Sequence, residues 1–316
     1  RDFCLSRGLG DVYKRQSKGV VGIRDYEMAE NIDTWINRFA AGINGLRVDA
    51  GVYPERLRAA IDAGWHTGKE LPGSAGLGHV GAMKLISDGS LNTRSAYCST
   101  PYSGIEPLTY GTLSYTPQQI EDYMRLATEH GFDIACHAIG DEANTIALNA
   151  VAATHAHGSI EHAQMLKPVD IPRFAELGLT ASIQPQHAMD DRDVITRFWA
   201  NPAGIPYPFR ALHDAGTTLR MGSDAPVAPL DPWLAISAAV LGTESSDREP
   251  FQPEQCLDVH ASLAASTATG RDRLASGDPA DVVLLDADPY AADTPEAMRA
   301  MPQHVVMTLL CGERTY

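Results

Sequence analysis

The stretch GFDIACHAIGD, residues 131–141, decides the fold. It predicts a buried β-strand that ends at a histidine and turns directly into a helix. Successive strand residues point to opposite faces, so His137 shares a face with Ala135, whose small side chain leaves room for a ligand or a metal. A polar side chain at the carboxyl end of a strand is typical of α/β-barrel active sites. Taken alone, His137 has a more ordinary interpretation as a hydrogen-bonded core histidine.

Strand and helix patterns alternate on both sides of this stretch. Short apolar runs predict strands, and side chains repeated at helical spacing predict the helices between them. Together with the strand that contains Ile134, the predicted strands number seven and include residues 20–25, 46–52, 82–87, 159–161, 180–184 and 218–221. Strands that alternate with helices indicate parallel βαβ units. We therefore predict an α/β fold, a (β/α)₈ barrel of the TIM type that is one strand short of closure.

The two ends of the chain differ from this pattern. From about Gly277, two short strands at 281–286 and 305–310 predict a small β appendage, the C-terminal part of a β-sandwich domain. Residues 1–16 have neither helical nor strand periodicity and begin with Arg rather than Met, so we interpret them as adapter sequence outside the fold. The predicted division is residues 1–16, a barrel at 17–276 and the β appendage at 277–316. The chain is interpreted as a fragment.

Composition excludes several classes of protein. The 316 residues are 44% hydrophobic and 21% charged, which is typical of a globular protein that buries a large core. The net charge of −15 argues against nucleic acid or an anionic membrane as partner. No apolar run approaches the roughly 20 residues that span a bilayer. The five cysteines form no CxxC pair, which favours a reducing compartment and a cytoplasmic location.

Four chemically distinctive residues lie at or near predicted strand ends, namely Lys84, His137, His162 and Asp224. Each has an ordinary interpretation by itself: Lys84 as an edge-strand lysine that reaches solvent, Asp224 as a helix cap. A barrel, however, brings the carboxyl ends of all its strands to one rim. Two imidazoles and a carboxylate at that rim suit zinc or a similar divalent ion.

The motifs around these residues extend to neighbouring positions, and the set is more specific than any one member. The motifs are KLISDGS (84–90), HAIGD (137–141), IEHAQ (160–164), QPQH (184–187), GSDAP (222–226) and GDPADVVLLD (277–286). This series resembles amidohydrolase family 3, the branch of the metal-dependent amidohydrolase superfamily that includes N-substituted formamide deformylases. The resemblance runs from about Gly19 to the C-terminus.

The resemblance implies a distorted barrel with one or two metal ions, zinc foremost, at its carboxyl rim. Lys84, as a carboxylated lysine, would bridge two ions, and His137 and His162 would hold the more exposed one. Asp224 would bind the buried ion and take a proton from the attacking water. His187 and Arg94 occupy positions where the resemblance suggests contact with the substrate.

One feature of the family is absent from the chain. Members of the superfamily carry a His-x-His pair at the end of the first barrel strand, whereas His66 and His79 are isolated histidines with no strand pattern around them. The sequence His155-Ala156-His157 lies at a predicted helix end on the opposite rim, where a solvated turn is expected. We therefore expect the first strand and its histidines upstream of this chain.

The predicted function is metal-dependent hydrolysis of a non-peptide C–N bond, in an amide or formamide, by a metal-activated water. Hydrolytic deamination or ester cleavage on the same scaffold is the alternative among enzymes. A barrel that only binds a ligand is the alternative outside them, and the presence of Lys84, His137, His162 and Asp224 argues against it. The expected partner is a small-molecule substrate, and assembly into a homo-oligomer is compatible with the sequence. The activity of this fragment is expected to be impaired.

Overall fold

A seven-stranded parallel sheet forms the centre of the computed structural model, which describes residues 14–199 and 202–316. In chain order the strands are β1 (Gly22–Asp25), β2 (Arg47–Val52), β3 (Gly78–Ile86), β4 (Ile134–Ala138), β5 (Gly158–His162), β6 (Met165–Leu166), β7 (Thr180–Ile183), β8 (Ile205–Pro206), β9 (Thr218–Met221), β10 (Val282–Leu285), β11 (Val305–Leu310) and β12 (Glu313–Arg314). The order in the large sheet is β1-β2-β3-β4-β5-β7-β9. Strands β6 and β8 form a separate antiparallel pair.

Helices connect successive strands of the sheet. They are α1 (Asn31–Ala40), α2 (Pro54–Asp62), α3 (Pro117–Glu129), α4 (Asp141–Thr154), α5 (Ile171–Glu176), α6 (Pro185–Phe198), α7 (Phe209–Asp214), α8 (Pro232–Leu241), α9 (Val259–Ser266) and α10 (Pro295–Ala300). Several begin at signals visible in the sequence. Thr116 caps α3 in a capping box with Gln119, and Pro117 occupies the first turn. Among the described residues, none of the helices is long and apolar enough to cross a membrane.

The register of the sheet separates a polar face from an apolar one. One row of paired residues is Lys84–Ala135–Ser159–Thr180, and the next row on that face places Ile86 beside His137, Glu161 and Ser182. Between these rows lie Leu85, Cys136, Ile160 and Ala181, which are buried in the main core. The polar face therefore carries the predicted site residues, and the apolar face packs beneath the helices.

The predicted incomplete barrel is confirmed. Within the described residues the sheet is open, because β1 pairs only with β2 and β9 pairs only with β7. All neighbouring strands of this sheet run parallel. Parallel direction brings all of their carboxyl ends to one edge, which is the geometric requirement for a shared site.

The prediction for β3 was wrong at its amino end. The strand begins at Gly78, four residues before the predicted start, so His79 lies inside a strand rather than in an isolated position. The two glycines at 78 and 81 hid the strand pattern. Gly78 is needed for packing, since a Cβ there would lie 2.3 Å from the ring of Phe39.

Helix α6 was not predicted. Its sequence, PQHAMDDRDVITRF, is mostly polar, and its hydrophobic side chains are too few to outline a helical face. Pro185 occupies its first turn, and the buried side chains include polar ones such as Gln186, His187 and Asp191. A helix that buries polar groups is hard to recognise from apolar periodicity, and such groups require partners.

The C-terminal residues form the expected small sheet, β10-β11-β12, which is antiparallel. An ion pair joins it to the amino end of β2, with Arg47 Nε 2.5 Å from Asp281 Oδ2. Gln16 also packs here, because its side chain donates to the carbonyl of Gly45 and its own carbonyl accepts from Thr308. Residues 1–13 of the predicted N-terminal segment lie outside the described residues.

Candidate metal centre

His137 is the penultimate residue of β4 and points from the polar face at its carboxyl end. Its Nε2 atom lies 3.4 Å from Asp88 Oδ1 and 3.4 Å from the carbonyl oxygen of Gly89. Carboxylate and carbonyl oxygens on one ring nitrogen favour a proton there, which leaves the other nitrogen free as a lone-pair donor. His137 is therefore oriented by the residues that follow β3.

Asp88 is the buried carboxylate that holds this corner of the site together. Its Oδ2 accepts from the backbone N–H groups of Tyr97 and Gly140, both at 2.9 Å, and its Oδ1 accepts from that of Ile139 at 3.1 Å. Glycine is required at position 140, because a Cβ there would lie 2.0 Å from the carbonyl oxygen of Tyr97. In the sequence, Asp88 was named only as part of the KLISDGS motif. Its position directly after a predicted strand was the signal that could have identified it.

His162 reaches the site through an unusual backbone conformation. It pairs with Ala138 in the sheet, so strict alternation would place its side chain on the apolar face with Ile160. Instead His162 and Ala163 have φ values of +73° and +44°. The strand pattern is broken there, and the His162 ring lies 4.4 Å from the ring of His137, edge to face. Positive φ in non-glycine residues is uncommon and often marks a functional position.

His187 comes from the first turn of α6. Its ring stacks on that of His162 with centroids 5.8 Å apart and planes 15° apart. The helix begins directly after β7, at Pro185, so that the histidine of the QPQH motif faces the end of β5. The structure thus brings a residue predicted to contact substrate against the imidazole of a predicted metal ligand.

Asp224 follows β9 in the GSDAP motif and has a φ of +53°. Its side chain is exposed, and the next peptide bond, Ala225–Pro226, is cis. One ligand atom from each of His162, His187 and Asp224 lies within 4.8 Å of the other two. Three donors about 2 Å from one tetrahedral ion lie roughly 3.3 Å apart, so these atoms would have to approach one another by at most about 1.5 Å to share an ion.

The chemistry of this group fits a divalent metal. Nδ1 of His162 and Nε2 of His187 are buried and have no hydrogen-bond partner among the described residues. Buried polar atoms without partners are uncommon, and a bound ion satisfies them. Burial lowers the pKa of His162 well below its ordinary value, and the neighbouring His137, Lys84 and His187 lower it further. His162 is therefore neutral near pH 7, the form that coordinates a metal.

Lys84 lies on the same face, two residues before the end of β3. It is 7% exposed, and its Nζ lies 4.9 Å above the ring of Tyr26, a cation–π distance. Its charge also contributes to the lowered pKa of His162. The lysine is thus enclosed near the histidines, as the sequence analysis expected of a residue at this position.

Arg94 lies on the loop after β3, where it is exposed and has a φ of +56°. Its guanidinium donates to the carbonyl of Asn92 and lies 5.5 Å from the ring of Phe198 at the end of α6. The contact with Phe198 joins the loop to α6. The assignment of Arg94 to substrate binding stays a prediction, as do the metal-ligand roles of the other residues.

The opposite end of the sheet has a different character. A cavity of about 600 Å³ opens there between the amino ends of the strands, lined by Arg24, Asp49, His79 and other polar residues. It is not the candidate site, because none of its lining residues belongs to the histidine group. His155 and His157 also lie at this end, exposed, and His155 ends α4 in the left-handed conformation. The solvated turn predicted for them is therefore present.

Comparisons with known proteins agree with the fold described above. The amidohydrolase family profile matches residues 16–316. The chain is 31% identical over 229 residues to YtcJ of Bacillus subtilis (strain 168), whose name assigns it to the amidohydrolases; the match covers 67% of this chain and 43% of YtcJ. It is 25% identical over 240 residues to the N-substituted formamide deformylase of Arthrobacter pascens, with 68% and 42% coverage. The chain thus spans less than half the length of these relatives.

A solved structure gives the same result in three dimensions. An uncharacterized metal-dependent hydrolase from Pyrococcus horikoshii OT3 superposes with a TM-score of 0.75 and 25% sequence identity. The superposition covers 90% of this chain and 57% of that one. The fold is therefore shared with a hydrolase that is described as metal-dependent.

Proposed function

Since the chain belongs to the amidohydrolase family, we propose that it is part of a metal-dependent hydrolase that cleaves a non-peptide C–N bond. The observation that carries this proposal is the group of His162, His187 and Asp224, whose ligand atoms lie within 4.8 Å of one another. Similarity to the formamide deformylase of Arthrobacter pascens favours an amide or formamide as substrate.

In this proposal His162, His187 and Asp224 hold a divalent ion, zinc foremost, and His137 stands beside them as a further donor. The ion, when bound, acts as a Lewis acid and lowers the pKa of water to about 7. Uncharged imidazole ligands leave the positive charge of the ion available for this purpose. The stacked rings and their burial keep the donors in place without bulk water between them.

Asp224 is assigned the proton transfer. Hydrolysis of an amide requires that a proton leave the attacking water and reach the departing nitrogen. Asp224 suits that task, because its side chain is exposed at the carboxyl end of β9 while an oxygen atom stays close to both histidines. A residue that touches the ligand group and also faces the substrate space can serve both steps.

Lys84 is assigned the bridging position in the form of a carbamate, formed by addition of its amine to carbon dioxide with loss of one proton. Its enclosure supports this role, since a side chain 7% exposed has little access to bulk water. Two carbamate oxygens could then serve two ions, so the proposal includes one or two metals per chain. Arg94 remains the candidate for contact with the substrate, whereas His187, which the sequence assigned to that contact, is here a metal ligand.

The test is a metal titration followed by a panel of substrates. The protein with its expected upstream strand restored, stripped of metal and reloaded with zinc, is offered a simple N-alkylformamide, the corresponding formate ester and an aminopurine. Release of amine from the formamide at the highest kcat/KM is the expected result. Preference for the ester or the aminopurine would replace the proposal by esterase or deaminase activity. Ligand binding without turnover of any of the three, in a chain that retains zinc, would favour a non-catalytic barrel.

A further inference from the structure

A second buried carboxylate, Asp191, lies one helical turn after His187 on α6 and is 5% exposed. Residues four apart share one face of a helix, so Asp191 points towards the same side as His187. It accepts hydrogen bonds from three side chains: Asn92 at 2.6 Å, Tyr207 at 2.7 Å and Gln164 at 2.9 Å. None of these donors is adjacent to it in sequence.

Each donor comes from a different connection around the candidate metal centre. Asn92 lies on the loop after β3, which also carries Asp88 and Arg94. Gln164 lies two residues beyond His162, in the segment where the backbone leaves the strand conformation. Tyr207 follows β8, and its N–H donates to the carbonyl of Gln164. One carboxylate therefore joins three connections to the helix that carries His187.

All three hydrogen bonds at Asp191 are donated to its carboxylate by other side chains. Gln164 and Tyr207 are both buried, so their donor groups have no access to bulk water. Burial raises the pKa of Tyr207 well above its ordinary value, and the neighbouring Asp191 raises it further. Tyr207 consequently remains a hydrogen-bond donor. If the acceptor at position 191 were lost, three donors would be left without a partner in a confined space.

We propose that Asp191 is a positioning residue for the metal centre, which holds His187, the segment after His162 and the loop after β3 in one arrangement. It acts through those three elements and need not touch the metal or the substrate. A second contact supports the coupling of the loop to α6: the N–H of Ser103 donates to the carbonyl of Phe198 at 2.9 Å. Loss of the charge at Asp191 should therefore loosen all three connections together.

The experiment compares Asp191→Asn with Asp193→Asn, a matched control on the same helix. The side chain of Asp193 is 80% exposed and pairs only with Arg248 among the described residues. Hydrogen exchange, followed by mass spectrometry, is measured in residues 87–116, 163–167 and 202–208, and zinc affinity is measured by competition with a chromophoric chelator. In Asp191→Asn we expect exchange to rise at least about fivefold in all three segments, and zinc affinity to fall about tenfold. The control should match the wild type.

A rise in exchange spread evenly over the molecule, with unchanged zinc affinity, would overturn the proposal in favour of a general contribution to stability. A rise confined to α6 would also overturn it. If Asp191→Asn does not fold, Tyr207→Phe removes one donor and keeps the carboxylate; exchange should then rise mainly in residues 202–208, and no change there would overturn the proposal. The zinc readout rests on the proposed function, but the exchange pattern does not. A wild type that binds no zinc would thus contradict the function and leave the exchange measurement decisive for Asp191.

Discussion

The two ends of the large sheet present polar side chains in opposite ways. At the carboxyl end, the rings of His137, His162 and His187 pack on one another, and two of their nitrogen atoms are buried with no partner in the described part of the chain. At the amino end, Arg24 and Asp49 lie 3.8 Å apart beside a cavity of about 600 Å³. Within the described residues, imidazole nitrogens are buried and unmatched at one end, whereas the Arg24–Asp49 pair at the other end is matched and half-exposed.

This difference marks the carboxyl end of the sheet as the candidate for a ligand site. A buried polar atom without a partner destabilises the fold by about 1–3 kcal/mol, so it persists where something else binds it. Paired charges around an open cavity carry no such cost and require no ligand. The cavity at the amino end is therefore a poorer guide to the site than the unmatched histidines at the carboxyl end. Four substitutions, each with a partner variant at a contrasting position, test this contrast.

The largest effect is expected from His162→Ala. Removal of a donor at the centre of the histidine group should lower zinc content to about a tenth of the wild-type value and hydrolysis by at least about 10³-fold. The control is His79→Ala, which removes a strand histidine at the amino end and should leave both quantities within about twofold. Elemental analysis measures the zinc content of both variants, and formamide hydrolysis measures their activity. Equal losses in both variants would abolish the distinction between the ends.

Lys84→Ala should come next. If the lysine bridges two ions, the variant loses at least about half of its bound metal together with its activity. The control is Thr180→Ala, which lies in the same row of paired residues and lines the amino-end cavity. It should keep its metal. Metal content of the purified proteins decides the matter, and unchanged stoichiometry in Lys84→Ala would remove the bridging role.

Asp88→Ala should destabilise the fold by about 3 kcal/mol, because three backbone N–H groups lose a buried acceptor. Asp88→Asn keeps one acceptor oxygen and should destabilise it by about 1 kcal/mol. The control is Asp133→Ala, an exposed aspartate at the amino end of β4, which should stay within about 0.5 kcal/mol of the wild type. Urea unfolding measures all three. A loss in Asp133→Ala as large as that in Asp88→Ala would contradict the contrast.

The smallest effect concerns the matched charges near the amino end and depends on pH. Burial alone would raise the pKa of Asp281, but hydrogen bonds from Arg47 and from the N–H of Cys311 outweigh it and hold that pKa below its ordinary value. The pair therefore stabilises the fold above the unfolded pKa of about 3.9, and this contribution is lost as pH falls through the folded pKa. Asp281→Asn should cost about 0.5–1 kcal/mol at pH 7.

Below the folded pKa of Asp281, the difference between Asp281→Asn and the wild type should disappear, since the wild-type carboxyl becomes neutral there as well. Unfolding free energies measured by urea titration from pH 7 to pH 2.5 follow this convergence. Asp247→Asn, an exposed position, serves as the control and should show no difference at any pH. A gap between Asp281→Asn and the wild type that widens towards low pH would mean that the pKa of Asp281 is raised rather than lowered.

The alternation of apolar strands and amphipathic helices determined the parallel sheet, because each pattern has its own period and is local in the chain. The positions of His137, Lys84 and Asp224 at or after strand ends were also visible, and parallel direction then brings those ends together. The predictions for two elements failed for identifiable reasons. Glycines hid the first half of β3, and the polar composition of α6 hid a helix whose buried face carries His187 and Asp191.

What only the tertiary structure decided is which of these residues meet. Alternation would have turned His162 away from His137, and the positive φ values at His162 and Ala163 brought it back. The stacking of His187 on His162, and the hydrogen bonds of Asp88 and Asp191, join residues from 9 to 99 positions apart in the sequence. A local sequence pattern predicts whether a segment is a strand or a helix. It does not predict the backbone torsions where that segment ends, nor which distant residues its side chains contact. The sequence alone therefore determined the sheet and its active edge, and the packing of its connections determined the site.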